Sequence, residues 1–71
     1  MTWSEVRTHW HPLREQVRAR WSALTHEDID AIAGRRQKLI AFLRLRYDEL
    51  DEQSAAAQAD AFVRALQVLS L

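Results

Sequence analysis

Seven apolar residues near the start of the chain restrict its fold more than any other feature. Trp3, Val6, Trp10, Leu13, Val17, Trp21 and Leu24 follow one another at intervals of 3, 4, 3, 4, 4 and 3 residues. That spacing is helical and shows none of the alternation of a half-buried strand. At ~100° per residue all seven fall on one stripe, with the three indoles nearly aligned. Pro12 interrupts the stripe, because it lacks an amide proton and disfavours helical geometry at His11. The sequence therefore predicts either a kink near His11 or a short first turn followed by a helix from Pro12 to about Ser22. Proline is well tolerated at the first helical position, which favours the second form.

Clear punctuation follows the stripe. Thr25 precedes His26-Glu27-Asp28, so its hydroxyl can accept from the Asp28 amide while Asp28 returns a carboxylate, as in a capping box. Leu24 and Ile29 stand where a hydrophobic staple would place them. This second helix ends soon, because Gly34 offers a left-handed stop after Ile32 and Ala33. A third helix is predicted from about Arg35 to Tyr47, with Leu39, Ile40, Leu43 and Tyr47 facing inward. Asp51 is the expected cap of a fourth, which runs through the alanines at 55–57 into Ala59, Phe62, Val63, Leu66 and Leu69. Alanine is the strongest helix former, so this tract reads as helix and not as linker. No repeat or boundary divides residues 1–71, and the expectation is one all-α domain.

Composition narrows the functional classes. The chain has no cysteine, one glycine and one proline among 71 residues. Disulfide staples and thiolate metal sites are thus ruled out, and a sheet of short strands lacks its turn residues. No segment approaches the ~20 apolar residues of a membrane span, and the first residues lack the order of a signal peptide, so the expected location is the cytoplasm, away from membranes. Ten basic residues balance ten acidic ones, yet they are segregated. Residues 35–47 hold Arg35, Arg36, Lys38, Arg44 and Arg46 with no acid; residues 48–60 hold Asp48, Glu49, Asp51, Glu52 and Asp60 with no base. The two segments are expected to neutralise each other.

The stretch from Trp21 to Tyr47 resembles the CsbD-like family of small bacterial stress-response proteins. The resemblance rests on Trp21, Leu24-Thr25, Asp28, Asp30, Ile32-Ala33-Gly34, Arg36, Leu39 and Arg46-Tyr47. Trp10, Leu13 and Val17 match the family's first helix, and Asp51, Ala55, Ala59 and Phe62 its last. The resemblance implies a small four-helix bundle, similar to two α-hairpins packed roughly crosswise. It also implies a cytoplasmic protein that accumulates under general stress, without established enzymatic activity and so without catalytic residues to carry over. Pro12 and Asp48 depart from the family pattern, as does one extra residue between Tyr47 and Asp51. Phe42 and Leu45 occupy positions that are usually polar.

Each candidate chemistry has a plainer competitor. His11 and Glu15 are four residues apart and would share a helical face, but His9 points elsewhere and no third ligand stands nearby, so no metal or other cofactor is expected. His26, Asp28 and Asp30 are the only acid–base cluster. Asp28 is already a cap, Asp30 is expected to pair with an arginine such as Arg36, and so small a chain leaves little room for a pocket. Neither an enzyme nor a small-molecule substrate is expected. Arg35, Lys38 and Arg44, with their basic neighbours, could face a phosphate backbone, or they could pair with the acids at 48–60. Protein association is the sharper reading. Phe42 and Leu45 point about 60° and 120° away from the Leu39 direction, and Val68 and Leu71 add apolar groups near the end of the chain. Such a patch marks a homodimer or another protein interface, unless the fourth helix folds over it. The indoles of Trp10 and Trp21 are assigned to the core with Leu24, Leu39, Tyr47 and Phe62.

Overall fold

A computed structural model describes the backbone of residues 2–69 and the side chains of residues 2–66. Five helices follow in order: α1 (Trp3–Thr8), α2 (Trp10–Arg20), α3 (His26–Ile32), α4 (Arg36–Arg46) and α5 (Glu52–Leu69). The described residues contain no strand. No helix among them is long and apolar enough to cross a membrane. The side chains of Val68 and Leu71 lie outside the described residues.

The break in the first apolar stripe falls at His9, not at His11 or Pro12. His9 closes α1 and opens α2, with φ −108° and ψ 29°. Proline explains the offset. Pro12 has no proton to offer the carbonyl of Thr8 four residues back, so the ladder fails there. Pro12 itself sits in the first turn of α2, where an amide proton would have no intrahelical partner anyway. In place of a kink near His11, or of a short first turn before a helix from Pro12, two helices meet at His9; five helices replace the expected four, and α2 stops at Arg20, before Ser22. The chain is all-helical, and the crosswise pairing of two hairpins belongs to the resemblance alone.

Local chemistry sets the other boundaries. Thr25 Oγ1 accepts from the Asp28 amide (3.0 Å) and the Asp28 carboxylate accepts from the Thr25 amide (3.1 Å). Leu24 and Ile29 are both buried around this box. A second box, between Thr2 and Glu5, starts α1. Asp51 accepts from the Ser54 amide at 2.7 Å and starts α5. The turn between α3 and α4 uses two left-handed residues, Ala33 (φ 51°) and Gly34 (φ 77°). Gly34 is needed for more than its dihedral angle, because a Cβ there would lie 2.7 Å from Arg7 Cα.

Packing runs from each helix to the next, most extensively between α4 and α5. Ala55 and Ala59, both fully buried, let α5 approach closely, and Val63 and Leu66 continue the same face. Side-chain hydrogen bonds then tie α5 back to the start of the chain. Trp21 Nε1 donates to Gln58 Oε1 (3.0 Å), and Trp3 Nε1 to Asp60 Oδ1 (3.2 Å). The Trp21 ring also lies 5.1 Å from that of Phe62. Trp10 Nε1 donates to the Ile29 carbonyl at 3.0 Å, so each indole proton is satisfied inside the protein. Tyr47 Oη accepts from the Ala23 amide (3.2 Å), fixing the end of α4 to the turn before α3.

Candidate functional site

The features that set α4 apart lie at its two ends. Its middle is core: Leu39, Ile40 and Leu43 are buried, with Phe42 half-buried beside them. One turn later Leu45 is 61% exposed, the only large apolar side chain so exposed among the described residues. Phe42 and Leu45 therefore do not form one open patch, because Phe42 packs against the core and only Leu45 is presented to solvent.

The basic residues of α4 split into two groups. Arg46 reaches the nearly buried Asp28 through two hydrogen bonds, of 2.7 and 2.9 Å. This guanidinium pulls the Asp28 carboxyl down from 3.8 to about 2, against the opposing push of burial, and the Thr25 amide helps it. Arg36 grips Asp60 through two further bonds, of 2.9 and 3.1 Å. Asp60 is held below its ordinary range by Arg36 first and by the Trp3 indole after it. Arg44 lies 3.7 Å from Glu52. Arg35 and Lys38 have no carboxylate partner among the described residues. Mutual neutralisation of segments 35–47 and 48–60 is thus partial. Arg36 and Arg44 follow it, Arg46 turns instead to α3, and Arg35 and Lys38 stay outside it.

Asp30 does not pair with Arg36. It takes Arg14 at 3.0 Å, because α3 lies against α2 and Asp60 already occupies Arg36. His9, His11 and Glu15 are all exposed, and no group of three metal-ligating side chains occurs among the described residues. His26 meets Arg18 through its Nε2.

Two open concavities are present, against the expectation that so small a chain leaves little room for a pocket. The first, about 310 Å3, lies between α2 and the start of α3 and is lined by His11, Arg14, Glu15, Arg18 and His26. The second, about 400 Å3, lies where α1 meets the start of α4, between Trp3, Arg7, Gly34, Arg35 and Lys38. Helix packing leaves such dips where a short element ends. Here α1 is six residues long and stops beside Gly34. Trp3 is the one indole left half-open, whereas Trp10 and Trp21 are closed into the core. Arg7 did not figure in the sequence reading of the basic surface. It lies 28 residues before Arg35 in the chain, and only tertiary packing brings the two together.

Comparison with known proteins finds relatives of the chain. It is 31% identical over 62 residues to a UPF0337 protein of Nitrosomonas europaea, a match covering 87% of this chain and 65% of that protein. It is 36% identical over 53 residues to a UPF0337 protein of Rhodopseudomonas palustris, covering 75% of this chain and 80% of the relative. The matched part is therefore a little under two thirds of the first relative's length. No protein-family profile matches the chain, and no solved structure does so significantly. On the identity and coverage of these two relatives, the chain belongs to the UPF0337 family.

Proposed function

We propose that this protein acts without catalysis in the bacterial stress response, as a cytoplasmic CsbD-like protein working through weak protein–protein contacts. The observation that carries this reading is Leu45, exposed at the end of α4 while the other large apolar side chains described are turned inward. The groups that acid–base chemistry would need are already engaged. Asp28 is held by Arg46 and Thr25, and Asp60 by Arg36 and Trp3. Covering one leucine is worth only about 1.5–3 kcal/mol, so the contact is weak and matters only at high protein abundance.

The first partner to test is a second copy. Sedimentation velocity from about 10 μM to about 1 mM, the range in which weak association appears, should show a monomer–dimer equilibrium that Leu45→Glu removes. A monomer throughout that range rejects the homodimer.

A second reading, nucleic-acid binding through residues 35–47, is favoured by Arg35 and Lys38, which have no carboxylate partner among the described residues. The carboxylate partners of Arg36, Arg44 and Arg46 count against it. Oligonucleotide binding that weakens steeply with added salt would support this reading. No affinity at low salt ends it.

A further inference from the structure

Six of the ten basic residues have no carboxylate partner among the described residues: Arg7, Arg18, Arg20, Arg35, Lys38 and Arg64. Arg18 is turned to His26 and Arg20 lies over the Trp21 ring. Arg64 lies on α5 four residues after Asp60, whose carboxyl its charge helps to hold down. The other three converge on the concavity between α1 and the start of α4, and no acidic side chain lines it. Asp60, behind the wall, is already engaged by Arg36 and the Trp3 indole. In a chain of zero formal net charge this is a local concentration of positive charge, and like charges held together repel unless an anion joins them.

The surroundings suit an anion further. Arg7 comes from α1, whose backbone lies against Gly34, while Arg35 is the N-cap residue of α4 and Lys38 stands in its first turn. The cations are thus presented from two sides by packed helices. The hydrogen bond to Asp60 holds Trp3 in place as part of the lining. No side chain caps α4 and no acid stands in its first turn, so its free amides add to the same field. A volume of about 400 Å3 is within the range of small-ligand sites.

We infer that the Arg7–Arg35–Lys38 concavity binds a small, multiply charged phosphate compound of the pyrophosphate or nucleoside diphosphate class. Two guanidinium groups supply paired donors for phosphate oxygens, and the ammonium supplies a point charge. The site goes beyond the Leu45 contact and is independent of it, because ten residues of helix, about 15 Å, separate Arg35 from Leu45.

The test is a low-salt titration of 15N-labelled protein with sodium pyrophosphate, with ADP and, in a separate arm, with a short single-stranded oligonucleotide lacking a terminal phosphate. Pyrophosphate and ADP should saturably shift the Gln37 and Lys38 amides and the Trp3 indole proton. Arg7→Gln/Lys38→Gln and Arg35→Gln/Lys38→Gln should each weaken binding about tenfold or more, with circular dichroism showing both still helical. Arg20→Gln and Arg64→Gln should leave it unchanged. The inference is overturned by an absence of saturable shifts, by equal losses in the two control variants, or by shifts with the oligonucleotide alone. The last result would move the phosphate chemistry to nucleic acid.

Discussion

Gly34 and Asp28 show how much a single residue can fix in a small domain. Gly34 holds a left-handed backbone and admits the Arg7 backbone to a distance no Cβ would allow. Gly34→Ala should therefore cost about 1–3 kcal/mol in backbone strain alone, with the displaced α1 adding to it. A thermal melt of the variant within a degree of the parent would show that the turn yields freely. Asp28 links the start of α3 to the end of α4. Its carboxyl titrates near 3.8 when unfolded and at about 2 when folded. Its stabilisation is thus complete above pH ~5 and fades as pH falls through ~4 toward ~2. Asp60 shifts in the same direction, so acid weakens both ties together. Urea unfolding midpoints should fall between about pH 5 and pH 2, and Asp28→Asn should lower the midpoint at pH 5 and flatten that dependence. An Asp28→Asn curve parallel to the parent's would remove Arg46–Asp28 as the source.

At the scale of elements, starts are set more firmly than stops. α1, α3 and α5 each begin with a side-chain oxygen accepting an amide proton of the first turn. Asp51→Ala should lower stability by about 1 kcal/mol, the usual worth of such a cap, measured by chemical denaturation, and amide exchange should rise first at the start of α5. Uniform exchange along α5 would contradict the cap's role. Thr25-x-x-Asp28 and Asp51 were legible because a cap and its donors lie within three residues. Thr2-x-x-Glu5 carries the same signal. The break at His9 was harder to read. Pro12 announces that a ladder must fail, but the missing bond is to Thr8, and the helix resumes before the proline that broke it. The ions were harder still. Nine arginines face ten acids, and helix packing chose Asp60 for Arg36, Arg14 for Asp30 and Asp28 for Arg46.

For the molecule as a whole, Trp21 is the joint between the ends of the chain. It is 1% exposed, hydrogen-bonded to Gln58 and stacked at an angle on Phe62. Trp21→Ala should cost about 3–5 kcal/mol, a large share of the roughly 4–10 kcal/mol expected for a chain of this size. The variant should be largely unfolded at 37 °C by circular dichroism. A cooperative melt close to the parent's would show that α5 holds without it. The same closure leaves dips at the surface where short helices end. One of them gathers Arg7 with Arg35 and Lys38, a grouping that no local pattern announces.

The amino-acid order determined the helical class, the capped starts and the inward stripe, because those depend on contacts within about four residues along the chain. Tertiary packing decided which charges meet, which indole stays half-open and where cations gather. Those outcomes depend on how far and at what angle one helix lies from another, and many pairings compatible with the same local rules compete until the core closes.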